Sequence, residues 1–232
     1  MFKNAAIAIL LMGLAACGAP RPHPSVQQPA NQPSASLQPL PIAGTYRIDS
    51  SNSELRVLVY RAGAFARLGH NHVIVNRAVS GSVQLAGTAT ASSFSLSVPL
   101  TGFTVDDPQS RREEGSDFPG EIPDDAKTGT LENMLSPAVL NAAAFPVITV
   151  NSLTLTGVQG ALTADLKINV AGHESTITAP FSLQTDSHRL TATGSLELRQ
   201  TAIGVMPYSL MLGALSVQDA MLLKFKIVVP IS

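Results

Sequence analysis

Over most of its length the chain alternates apolar and polar residues with a period of two. "SSFSLSVPL" puts Phe94, Leu96, Val98 and Leu100 on one side, with serines and Pro99 on the other. "ALTADLKINV" repeats the pattern with Leu162, Ala164, Leu166, Ile168 and Val170, and "STITAPFSL" with Ile177, Ala179, Phe181 and Leu183. "RLTATGSLEL" gives Leu190, Ala192, Leu196 and Leu198; "MLLKFKIVV" gives Met221, Leu223, Phe225, Ile227 and Val229, with Lys224 and Lys226 opposite. "ELRVLVY" and "VSGSVQL" add Leu55, Val57 and Val59, then Val79, Val83 and Leu85. Successive side chains of a strand point to opposite faces, so each run predicts a strand with one dry and one wet face. That is the antiparallel signature, and "VAGHES" around Gly172 predicts a hairpin turn between two of the strands. Open edges invite aggregation, so at least seven such strands must curl or close. The pattern predicts an all-β fold, an antiparallel barrel of about eight strands, whose interior is filled by its own side chains or holds one ligand.

Two segments break the period. Asp106 to Asp125 carries 8 of the 16 acidic residues, with Arg111 and Arg112 among them, and reads as a long excursion at one mouth of the barrel. Glu113 and Glu114 beside the two arginines read as a solvated, mutually paired loop. "GTLENMLSPAVLNAAAFP" then reads as helical, with Leu131, Met134 and Leu135 at helical spacing. Ser136 and Pro137 predict the cap and first position of a second short helix, stopped by Pro146. These helices would lie across the barrel or cap one end, with Leu131, Met134, Leu135, Leu140 and Phe145 in the core.

The first residues have a different logic. "MFKNAAIAILLMGLAAC" has one lysine, Lys3, then an apolar run from Ala5 to Met12. That run is too short for a bilayer, which needs roughly 20 apolar residues, and has the shape of a secretory signal. It ends in "LAAC", which resembles the bacterial lipobox, whose cysteine is lipidated and becomes the new N-terminus. The chain's 1 cysteine is this Cys17, so no intramolecular disulfide is available. Gly18 follows where an aspartate would favour inner-membrane retention, which resembles the outer-membrane default. Residues 18 to 42, rich in Pro, Gln, Ser and Ala, cannot bury enough surface to offset their ordering entropy and read as a disordered tether. The expected organisation is a lipoprotein signal peptide over 1–16, lipidated Cys17 and its tether over 17–42, and one barrel domain over 43–232. It places the mature protein in the cell envelope, on the periplasmic side of the outer membrane, held to the membrane through Cys17.

Composition narrows the partners. Without Lys3, 14 basic side chains face 16 acidic ones, a formal charge of −2, and no basic cluster suggests nucleic acid. Charged residues are only 13% and apolar ones 45% of the chain, more apolar surface than usual for a tethered soluble domain to hide. If the dry faces enclose a hole, Phe94, Leu96, Val98, Leu166, Ile168, Phe181, Leu196 and Phe225 would line it, joined by Leu135 and Phe145 from the helical segment. "VMPYSLMLGAL", Val205 to Leu215, is unusually apolar for a connection; it reads either as a lid buried on the barrel or as a lip that touches the membrane, and burial is the expectation.

The chemistry-bearing candidates are two histidines in "ARLGHNHVIV". His70 and His72 are two apart, so in a strand they share a side. They fit three roles: polar positions at a barrel mouth, a head-group contact, or half of a metal site, which for zinc would need one or two further ligands. On a continuous strand they fall on the face opposite Val73, Val75, Val79, Val83 and Leu85; a bulge near Asn76 would swap the faces. No nucleophile elbow, "HExxH", "CxxC" or phosphate loop is present, and the chain reads as a non-enzyme. A His-based metal module and a ligand-free barrel acting through a protein partner stand as alternatives to a lipid binder.

Several stretches in order resemble the YceI-like family, the lipid and polyisoprenoid-binding periplasmic proteins. "GTYRIDSSNSELRVLVY" resembles the family's first hairpin, through Tyr46, Asp49 and Ser53. "TLENMLSPAVLNAAAFPVITVNS" is similar to its helical insert, ending in Phe145 and Pro146 and running into Ile148 and Ser152. "LRQTAIGVMPYS" resembles its late segment through Arg199, Ile203 and Gly204, and "VQDAMLLKFKIVV" its closing strand after Asp219. The resemblance implies an elongated lipocalin-like antiparallel barrel with a short helical insert. It also implies an interior for an isoprenoid chain such as a quinone tail or polyprenol, and neither catalysis nor a cofactor. Typical members carry "H-x-G-x-x-x-V-x-G-x-F" after the first strand. Here "YRAGAFARLGHNHVIV" has Tyr60 where histidine is common and His70 and His72 further on, which resembles a divergent, GHNH-containing subgroup.

Overall fold

The computed structural model describes residues 43–158 and 160–231; the expected signal segment, Cys17 and the expected tether lie outside the described residues. In chain order the strands are β1 (Gly44–Arg47), β2 (Glu54–Ala62), β3 (His72–Asn76), β4 (Ser80–Ala86), β5 (Thr88–Pro99) and β6 (Phe103–Val105). Two helices follow, α1 (Pro108–Glu113) and α2 (Asp124–Leu135). Then come β7 (Val147–Val158), β8 (Ala161–Val170), β9 (His173–Thr185), β10 (Arg189–Arg199), β11 (Ser209–Leu210) and β12 (Leu215–Pro230).

The strands form one curled antiparallel sheet in the order β1-β4-β5-β7-β8-β9-β10-β12-β2-β3-β6, with β11 paired to β12. Two devices curl it. β9 pairs with β8 from His173 to Phe181, then with β10 from Ser182 to Thr185, and so passes from one half of the sheet to the other. On the opposite side one bent hairpin does the same: β4 pairs with β5 in one half, while β3 and β6 pair in the other. With β3–β4 and β5–β6 each counted as a single bent strand, eight long strands make the wall. β1 and β11 are short additions.

The bend at Asn76 has a local cause. Asn76 is fully buried; its amide donates to the Pro99 carbonyl at 2.8 Å and its Oδ1 accepts from the Ala78 amide at 2.9 Å. The side chain closes a turn on itself, as asparagine does, and the ladder stops for residues 77–79. The strand resumes with its faces exchanged: Ile74 faces the interior before the bend, and Val79, Val83 and Leu85 after it. Asn76→Ala is expected to cost about 1–3 kcal/mol, by leaving the Pro99 carbonyl and the Ala78 amide without these partners. A urea midpoint compared with wild type measures it.

The chain exit from β1 ties the halves together. The Ile48 amide donates to Gly81 of β4 and the next amide, Asp49, to Val228 of β12. Asp49 caps the single turn Ser50–Asn52, and the buried Ser53 hydroxyl accepts the Val228 amide at 2.9 Å. Hydrogen bonds from Ser51, Asn52 and their amides hold the Asp49 carboxyl below its ordinary value.

The hairpin expected at Gly172 is present. β8 and β9 meet at Val170 and His173, with Ala171 and Gly172 both at positive φ, the primed turn that suits strand twist. The helical segment differs from expectation at both ends. α1 forms inside the acidic excursion because Asp107 caps it: its carboxylate accepts the Ser110 amide and hydroxyl at 2.9 Å, and Pro108 opens the first turn. The same cap-then-proline pattern at Ser136–Pro137 makes no second helix. There the Ser136 hydroxyl donates backward to the Asn133 carbonyl, and the Leu140 and Ala142 amides fold back onto Met134 and Leu135. Residues 137–144 are turns that end α2.

Candidate functional site: an apolar barrel interior

The alternating side chains converge on a cavity of about 300 Å³ inside the curled sheet, at the lower end of the usual range for small-ligand sites. Phe94, Leu96, Val98, Leu166, Ile168, Phe181, Leu196 and Phe225 all line it. Every strand from β2 to β10, and β12, contributes at least one wall residue; Met134, Val139, Leu140 and the segment Gln200–Val205 complete the lining through Gln200, Ile203 and Val205. Leu135 and Phe145 do not line it. Leu135 packs against the core from outside the cavity, and the Phe145 ring lies against Gly172. α2 reaches the interior with Met134 instead.

Polar side chains in the wall are only Ser92, Ser93 and Gln200. The Ser92 hydroxyl donates to the Thr88 carbonyl and the Gln200 amide to the Gln218 carbonyl, so both satisfy the protein's own backbone. No charged group lines the interior. Such a wall attracts hydrocarbon.

Small residues keep the interior open where two strands meet. Ala164 of β8 and Ala179 of β9 are cross-strand partners, and both line the cavity. On β10, Gly194 leaves room for Phe225: a Cβ there would come within 2.5 Å of its ring and of the Pro180 carbonyl.

The histidines lie elsewhere. Neither lines the cavity. His70 is exposed, and its ring centroid stands 6.2 Å from that of His72. His72 Nδ1 pairs with Asp106 Oδ2 at 2.6 Å; Asp106 Oδ1 accepts the Val73 amide at 2.9 Å and Arg111 Nη1 at 2.6 Å. Arg111 also donates to the carbonyls of Asn71, Pro119 and Gly120. Between the histidines, Asn71 accepts the Arg61 amide and donates to the Asp117 carbonyl. "GHNH" thus latches the 106–120 segment onto the ends of β2 and β3. Among the described residues no group of three or more His, Cys, Asp or Glu side chains gathers as a metal site.

What the latch holds down is a second, smaller core. Leu58, Val73 and Val75 point outward from β2 and β3, and Phe118 buries them, with Tyr60 and Leu222 packed alongside. The Arg111 guanidinium lies 5.9 Å over the Phe118 ring. Burial and the nearby Asp117 and Glu114 raise the Tyr60 hydroxyl above its ordinary pKa. Beside this core, Glu113 and Glu114 reach Arg56 of β2, each at 2.8 Å, and Glu114 also pairs with Lys224 of β12. Their charged partners are strand residues, not Arg111 and Arg112. Burial opposes the Arg56 charge, but Glu114, Glu113 and Glu54 more than offset it and raise its pKa. The excursion therefore covers the outside of the wall, as a strap.

Of the segment Val205–Leu215, expected to form a buried lid, Val205 is buried in the wall, but Met206, Leu210, Met211 and Leu212 after it are in the open. Met206, Met211 and Leu212 are more than two-thirds exposed, with Leu212 fully so.

A family model for the YceI-like domain matches residues 46–229. The chain belongs to that family. Two solved structures share the fold of this YceI-like domain. BcnA of Burkholderia cenocepacia is 14% identical, with a TM-score of 0.58 over 78% of this chain and 98% of that one. A polyisoprenoid-binding domain from Saccharophagus degradans, implicated in plant cell wall breakdown, is 12% identical, with a TM-score of 0.54 over 81% and 98%. No curated protein matches. In this YceI-like domain the family's Asp49 and Ser53 are the capping and strand-tying groups described above. Asp219, expected before the closing strand, accepts the Thr201 amide and hydroxyl and so fixes the turn that leads into the 200–205 wall segment.

Proposed function

We propose that this protein is an envelope lipoprotein that holds the hydrocarbon part of an amphiphile, most simply an isoprenoid chain, inside its barrel, and that it is a binder rather than an enzyme. The cavity carries the reading: its wall is overwhelmingly apolar, and the Ser92 and Gln200 side chains satisfy the backbone. Burial of an apolar chain supplies roughly 25 cal/mol per Å² before entropy costs. The Saccharophagus degradans domain with the same fold is named for polyisoprenoid binding, which supports the ligand class. Cys17 at the end of a lipobox-like "LAAC" supports a lipid anchor in the envelope.

Native mass spectrometry of the protein purified from its own membranes tests the ligand. The expected spectrum shows a mass above the acylated chain that is lost on collisional activation and extracts as one lipid class. A bare acylated chain in mild detergent, together with no uptake of added polyprenol, would remove the reading.

A further inference from the structure

We propose that the loops Gly63–Gly69 and Met206–Gly213 form one apolar lip that inserts into the surface of an anionic lipid bilayer, next to the wall segment through which the cavity meets its lipid. The inference rests on the lipid-binding reading and adds where the protein meets the membrane.

The two loops are one surface. The Phe65 amide donates to the Ala214 carbonyl at 2.7 Å, and Gly63 approaches the Gly213 and Ala214 carbonyls so closely that a Cβ would sit 2.5 Å from both. Six large apolar side chains, Phe65, Leu68, Met206, Leu210, Met211 and Leu212, project from them into the open. They account for six of the ten exposed large apolar residues among those described. A cluster of this kind on a charge-poor protein marks an interaction surface.

The backbone holds these side chains out at a cost. Met211 and Leu212 are both left-handed, at φ 52° and 55°, in the turn of the β11–β12 hairpin, and Gly213 follows at φ 92°. Glycine or asparagine is the ordinary choice there. A methionine and a fully exposed leucine improve neither the turn nor the core. They make sense if the side chains meet something apolar.

Charge and position identify that partner. From Arg61 to His72 the charged residues are Arg61 and Arg67; from Gln200 to Gln218 there are none. Flexible apolar side chains flanked by arginine, with no carboxylate, fit an anionic lipid interface. The lip also continues the cavity wall: Ile203 and Val205 line the interior, and Met206 is the next residue outward.

The chain contains no tryptophan, so Leu212→Trp places a unique reporter in the full-length protein, and Leu153→Trp, on an exposed leucine of β7, is the control. Vesicles of mixed phosphatidylglycerol and phosphatidylcholine are the probe. The indole at position 212 is expected to shift to the blue and to be quenched by lipids brominated high in the acyl chain, while that at position 153 is not. The paired change Met211→Gly with Leu212→Gly relaxes the turn, so the fold should survive, yet transfer of a fluorescent polyprenol from vesicles into the protein should slow by about tenfold or more. If the protein loads polyprenol from detergent but the 212 reporter ignores vesicles, the lip is wrong and the carrier stands. If neither occurs, both fall. A response shared equally by position 153, or a blue shift that follows protein concentration without vesicles, also overturns the lip, the latter in favour of a second copy.

Discussion

Replacing Ala164 and Ala179 together by leucine is expected to abolish lipid uptake while the barrel stays folded. Both residues are about 97% or more buried, both line the cavity, and they face each other across β8 and β9. Six added carbons therefore enter the same part of the interior. Larger side chains in a tightly packed core cost about 1–3 kcal/mol, but here they enter a void and recover apolar contact. Thermal unfolding should move little, and the variant should bind polyprenol at least about 100-fold more weakly, because losing a few buried methylenes of ligand already removes that much. Fluorescent-polyprenol titration beside a melting curve separates the outcomes. Undiminished binding by a folded variant would mean that the ligand lies elsewhere.

The largest loss of stability is expected at Asp106, far from the cavity. Asp106→Asn removes the counter-charge of Arg111, whose guanidinium is almost wholly buried. Stranding a buried charge costs about 3–5 kcal/mol, a fall in Tm on the order of 10 °C for a domain of this size. Asparagine tolerates the left-handed φ of 55° at this position, so the loss reports the charge and not the backbone. The double change Asp106→Asn with Arg111→Met should cost less than the two single changes summed.

The same carboxylate makes stability depend on pH. Burial alone would raise its pKa, but bonds from His72, the Val73 amide and Arg111 hold it below the ordinary 3.8. Its contribution is therefore complete above pH 3.8 and is lost as the pH falls through the lower folded value. Asp106→Asn should remove part of the acid limb of the stability profile. The carboxyls of half-buried Asp107 and exposed Glu113, also held low by their hydrogen bonds, retain smaller shares.

The histidines show where local reading stops. The spacing in "GHNH" would put His70 and His72 on one side of a strand, but β3 begins only at His72, and the spacing allows a metal, a head group or a polar rim. The choice among these depends on what crosses above the strand. Asp106 is 34 residues further along the chain, at the start of an excursion read in the sequence from its acidity and lack of a strand period. One signal was readable: the Asp107–Pro108 cap and first position, the same grammar applied at Ser136–Pro137. Only competition for the Ser136 hydroxyl by the Asn133 carbonyl separates the two outcomes.

The amino-acid sequence by itself determined the inner wall. Alternation is a steric property of each strand, enforced residue by residue, so Leu162 to Val170, Ile177 to Leu183 and Met221 to Val229 all present to the cavity the faces their period assigned. The Gly172 turn is local in the same sense. Tertiary structure alone decided the strap pinned by Arg56 and Arg111 and the exposure of the 206–212 lip. Each depends on partners far apart in sequence, 57 residues in the case of Arg56 and Glu113, or on a partner the chain does not contain. A periodic pattern carries no record of either, because burial on the outside of a wall is set by what folds over it.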